Sequence, residues 1–145
     1  MQPGIASHED GQLILKLYEL RTEPVLRQAR AWIGGEFWPA TADEFFVVMQ
    51  DSGSEKNAWL RQVVSYWEMA ASIVLHGALA ADLFVDCNGE PFFLLAKLAP
   101  ILPEIHAKMP GFFSKTLQLI EHSQAAAARY EAMRKSVEAR RVKRG

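Results

Sequence analysis

Along residues 57 to 76 the apolar positions recur at helical spacing. Leu60, Val63, Trp67, Ala70 and Val74 step by three and four and form one seam. Trp59, Tyr66 and Ile73 step by seven beside it. The polar remainder, Arg61, Ser65, Glu68, Ser72 and His76, stacks roughly turn over turn as one narrow stripe. The pattern predicts a central helix over residues 54 to 77, opened by Ser54 and Glu55 and closed at Gly77. So wide an apolar surface packs against neighbours on at least two sides.

The same period runs through the rest of the chain. Leu13, Leu17 and Leu20 predict a first helix. Pro24 then interrupts it, which predicts either a second helix capped by Thr22 or one helix kinked there, ending at Gly34 and Gly35. Thr41 with Glu44 three residues on has the pattern of a capping box. A short helical turn over "AADLFVD" leads into the turn "CNGEP", and Pro100 and Pro103 break or kink the apolar run that follows. From about residue 112 to 141 the seam Phe113, Leu117, Ile120, Ala127, Tyr130, Met133, Val137 predicts one long terminal helix. Nowhere do β-branched and polar residues alternate over a strand's length. The expected fold is all-α, a compact helical bundle of about five or six helices with a long C-terminal helix. Its expected parts are a flexible N-terminus over residues 1–8, a bundle domain over 9–128 and a basic helical extension over 129–145.

Charge sharpens that division. Residues 129 to 145 carry seven basic and two acidic side chains, against nine basic and fifteen acidic in the preceding 128. A mildly acidic body thus carries a basic arm. Half of the 145 residues are apolar, which suits one folded domain and excludes a disordered chain. Cys87 is the single cysteine, so neither an internal disulfide nor a cysteine-built zinc site can form. The N-terminal residues lack the basic, apolar and cleavage regions of a secretory signal. Arg61, Glu68, His76 and Asp82 interrupt the longest apolar stretch before it reaches the length of a membrane span. The expected setting is cytoplasmic, without membrane attachment.

Candidate chemistry is sparse. His76, His106 and His122 do not show metal-ligand spacing, and no His-Glu-x-x-His is present. No nucleophile elbow occurs, and "IGGEFW" lacks the Lys-Ser/Thr of a phosphate-binding loop. No metal or cofactor is expected, and a non-catalytic role is favoured. Glu68 and His76 lie two turns apart, roughly 12 Å along the axis, too far to form a direct acid–base pair. If a pocket exists, its expected lining is Arg27, Trp32, Arg61 and Glu68.

The stretches "LYELRTEPVLRQARAWI" and "VVSYWEMAASIVLHGALAADLFVDCNGEP" resemble a bacterial family known as domain of unknown function 4760. The resemblance covers about residues 13 to 125 and rests on Leu17, Tyr18 and Arg21, on the pair Tyr66 and Trp67, and on Gly77 with Leu79, Asp82 and Leu83. It implies an all-helical fold and brings no catalytic residue, cofactor or substrate. Many relatives in that family carry an N-terminal membrane helix. None is expected in this sequence, so membrane attachment is not carried over.

Three functional readings follow. The leading one is a protein-interaction or self-association module that docks a partner or a second copy through the last helix, at Tyr130, Met133 and Val137 flanked by Arg134 and Arg141, or through the aromatic region around Trp32 and Trp38. The second is a small-ligand or enzymatic pocket beside Arg61 and Glu68. The third is weak nucleic-acid association through the basic arm, disfavoured by the acidic body and by the arm's single aromatic, Tyr130.

Overall fold

The computed structural model describes residues 5–144. Nine α-helices fill them: α1 (His8–Arg21), α2 (Pro24–Gly35), α3 (Ala42–Gln50), α4 (Glu55–Leu75), α5 (Ala81–Cys87), α6 (Glu90–Leu98), α7 (Leu102–Lys108), α8 (Ser114–His122) and α9 (Gln124–Arg144). A 3-10 turn at Ala99–Ile101 joins α6 to α7. No strand occurs among the described residues.

The all-α class holds, but there are more helices than the five or six expected. Pro24 separates two helices rather than bending one. Thr22 turns back to close α1, its hydroxyl donating to the Glu19 carbonyl at 2.7 Å, and Glu23 caps α2 by accepting from the Leu26 amide at 2.8 Å. The long helix expected over 112 to 141 breaks at Ser123. That residue is extended (φ −126°, ψ 120°), and its Oγ accepts from the Ala126 amide at 3.1 Å to start α9. The basic stretch expected from residue 129 onward belongs to α9. α9 runs through that boundary and lies along α6, with Val137 fully buried. The tail expected over residues 1–8 lies partly outside the described residues. Within them, Ser7 caps α1 and His8 is its first residue.

α4 is the axis, packed against α2, α3 and α8. Trp67, Leu60, Val63 and Ala70, its predicted seam, are completely buried. An aromatic row fills the layer beside it. Trp32 stacks on Phe37 at 4.7 Å, Phe37 meets Phe45 at 6.3 Å, and Phe45 meets Phe112 edge-on at 5.1 Å. The aromatic pairs are therefore core and junction filling.

Nine helices expose many unpaired backbone ends, and side chains, several of them from other helices, satisfy some of these. Asp10 closes the capping box of α1 and also accepts from the Ala80 amide at the start of α5, 2.9 Å away. Those amides hold its carboxyl below the usual carboxylate range. The buried Asn57 donates to the carbonyls of Val48 and Met49 at the end of α3, at 3.0 and 2.8 Å. Asn88 and Arg129 donate to Phe84 and Val85 near the end of α5. Lys97 donates to Ile33 near the end of α2, and Arg141 to Lys97 at 3.1 Å.

Candidate functional site

The polar stripe of α4 does not build a pocket. Glu68 reaches α8, where its carboxylate accepts from the amides of Lys115 and Thr116, both at 2.9 Å, and from the Thr116 hydroxyl at 2.7 Å. α8 has no cap of its own, because Phe113 before it has a buried ring and a left-handed backbone (φ 54°). An acid at a helix N-terminus completes three hydrogen bonds and opposes the helix dipole. Replacing Glu68 with alanine is expected to cost about 2 kcal/mol, with glutamine recovering part of it, in chemical denaturation.

The other expected pocket residues lie apart. Trp32 belongs to the aromatic row, whereas Arg27 and Arg61 are exposed and form no ion pair among the described residues. His76 sits exposed beyond α4, its Nδ1 2.8 Å from the Ser72 carbonyl. No group of three His, Cys, Asp or Glu able to hold a metal occurs among the described residues.

The terminal seam is likewise occupied within the chain. Val137 is buried, Tyr130 and Met133 pack on the core, and the Arg134 guanidinium lies 6.0 Å from the ring of its own Tyr130. Burial also pushes the Tyr130 hydroxyl's pKa up. Arg141 is held by Glu138 and the Lys97 carbonyl. Of the residues expected to meet a partner there, Val137 is covered within the chain, Tyr130 and Met133 are half-buried, and Arg134 stays exposed.

A polar cluster unread in the sequence lies where α2, α4 and α6 meet. Glu90 accepts from Arg30 through both carboxylate oxygens, with Nε at 3.0 and 3.1 Å and the terminal nitrogen at 2.9 Å. It also accepts from the indole Nε1 of Trp67 at 2.9 Å. The Arg21 guanidinium spans the rings of Tyr18 and Trp67, at 5.1 and 5.6 Å. Tyr66 donates its hydroxyl to the Leu17 carbonyl. Burial pushes that hydroxyl's pKa up to about 12, with the positive charges of Arg21 and Arg30 acting in the opposite direction. Leu17, Tyr18, Arg21, Tyr66 and Trp67, far apart in the chain, thus meet at one junction.

Outside that junction α1 and α4 leave a groove. A cavity of about 130 Å³ is lined by Leu13, Leu17, Leu20, Tyr66, Met69 and Ile73, with the Lys16 stem at its rim. A shallower recess continues past Leu20, Tyr66 and Met69 to Leu26, with Glu23, Gln62 and Ser65 along its edge. Met69 is 67% exposed and Leu20 45%. The two form a ridge between the hollows. Leu15, Tyr18 and Val25 add further exposed apolar surface on α1 and α2. A dry apolar hollow of this size takes one branched or aromatic group, by comparison with engineered cavities of about 150 Å³.

Fold and site together describe an all-helical domain whose polar side chains tie its helices together and whose α1–α4 groove is apolar. The chain belongs to the family described as domain of unknown function (DUF4760), which matches residues 6–123. The match ends where α9 begins. No curated protein and no solved structure matches the chain. No helix among the described residues is long and apolar enough to cross a membrane.

Proposed function

We infer that this domain is a self-association module whose docking surface is the α1–α4 groove. The observation that carries this reading is the groove itself, an apolar hollow beside two exposed apolar knobs, Leu20 and Met69. A second copy is the occupant that fits. Hollows flank the ridge on both sides, so a two-fold axis near Met69 sets each ridge beside the other copy's hollow. The rims agree in charge, since the same rotation brings Lys16 at one end opposite Glu23 at the other. Methionine at the lip suits such packing because its unbranched thioether adapts to the facing surface.

Met69→Asp is expected to weaken dimerisation at least tenfold by sedimentation velocity, with unchanged helicity and melting temperature, because Met69 is exposed in the single chain. Lys16→Glu is expected to weaken it less. A monomeric parent chain, or a Met69→Asp variant that dimerises equally well, contradicts the reading.

A further inference from the structure

The last turns of α9 gather more positive charge than the fold uses. Arg141 is spent on Glu138 and the Lys97 carbonyl. Arg140, Lys143 and Arg144 form no ion pair among the described residues. Beneath them lies Lys97, 2% exposed, its ammonium directed at the Ile33 carbonyl. Arg144 and Lys97 both approach the Trp38 ring, at 4.6 and 5.0 Å from its centroid. Arg140 and Lys97 approach Phe93, at 5.2 and 5.4 Å. Three cationic side chains therefore share two aromatic rings.

These groups surround open space. A recess of about 340 Å³ is lined by Gly34, Gly35, Trp38, Arg140, Lys143 and Arg144. A second of about 310 Å³ shares Gly34 and Arg140 and reaches Phe93 and Glu90, whose carboxylate is already held by Arg30. The carbonyl end of α2 contributes at most about half a negative charge, and Lys97 already answers it. Among the described residues, no ion pair answers the remaining positive charge of Arg140, Lys143 and Arg144. Burial first, and then the repulsion of Arg144, lower the Lys97 pKa to about 7, as expected where cations outnumber their partners.

We propose that the recess between the end of α2 and the last turns of α9 binds a small phosphate-bearing anion, gripped by Arg140, Lys143 and Arg144 over Trp38. Guanidinium groups match phosphate oxygens in pairs, and the partly apolar wall strengthens each contact. Free polyphosphate and the phosphates of a nucleotide share this chemistry.

The test is calorimetric titration of the full chain with inorganic pyrophosphate and with ATP at low salt. A Cβ at Gly35 meets nothing within 4 Å, so Gly35→Glu places a carboxylate at the recess without disturbing the fold. The expected result is saturable one-to-one binding of pyrophosphate, weakened at least tenfold in Gly35→Glu and in the Arg140→Ala, Arg144→Ala double variant. Equal affinity for ATP assigns free polyphosphate, and tighter ATP binding assigns a nucleotide stacked near Trp38. Either supports the site. Absence of saturable binding overturns it, as does equal affinity in a Gly35→Glu chain of unchanged melting temperature. Tight binding of a mixed-sequence DNA duplex that excess pyrophosphate fails to displace overturns it in favour of nucleic acid.

Discussion

Replacing Glu90 with alanine is expected to destabilise the fold by about 3 kcal/mol, a fall of roughly 10 °C in melting temperature for a chain of this size. One carboxylate serves three donors there. Without it, the Trp67 indole N–H, completely buried, has no acceptor, and Arg30 keeps its charge between packed helices. A single unmet buried donor costs about 1–3 kcal/mol, and an orphaned buried charge costs more. The pair's side chains remain 26% and 18% exposed, which places the expectation near the lower end for buried ion pairs. Glu90→Gln keeps an acceptor for Trp67 and loses only the charge, so its cost should fall between parent and alanine. A loss under about 1 kcal/mol for Glu90→Ala would show that the cluster is not the tie between α2, α4 and α6.

Lys97 produces the second large effect, as a dependence on pH. Its folded pKa lies near 7, against 10.5 for an ordinary lysine. Between those values the unfolded chain binds a proton that the folded chain does not, so stability rises with pH across that window. Below it both states are protonated, and the buried charge imposes its full penalty. From pH 7 to about pH 9.5, before the tyrosines titrate, the difference amounts to roughly 3 kcal/mol at 1.4 kcal/mol per unit. Lys97→Met removes this slope. It also strips the Ile33 carbonyl of its donor, a constant cost of about 1–3 kcal/mol that does not vary with pH. The Lys97→Met chain should therefore be the more stable near pH 7, and its advantage should shrink by roughly 3 kcal/mol towards pH 9.5 as the parent gains stability. Parallel curves would mean that Lys97 stays protonated in the fold.

The elements were legible wherever one helix's own periodicity decides the matter. The seam of α4 and the stop at Gly77 (φ 82°) stand as the spacing predicts. What failed is what depends on a second element. Glu68 stood out as a polar residue on an apolar helix, but nothing local shows that α8 begins without a cap and turns to it. Glu90 read as part of a turn, and only its place beside Pro91 at a helix start hinted at more. Lys97 carried a usable signal, a single charge inside "FFLLAKLAPIL", since a lysine is rarely fully buried without a partner. Ser123 before four alanines was likewise a readable cap, overridden by the unbroken apolar period on either side. The seam of α9 was read correctly as apolar, but periodicity does not say whether its partner is another chain or α6.

In the proposed dimer, α1 and α4 meet a second copy along their groove, with Met69 near the two-fold axis. Disulfide trapping tests it most directly, with Met69→Cys placed in a Cys87→Ser chain, because the bond forms only when the two Cβ atoms come within about 4.5 Å. Val142→Cys in the same background, equally exposed but remote from the groove, is the control. The account predicts rapid, near-complete covalent dimer for Cys at 69 under mild oxidation and little for Cys at 142. Equal, slow cross-linking at both positions would contradict it.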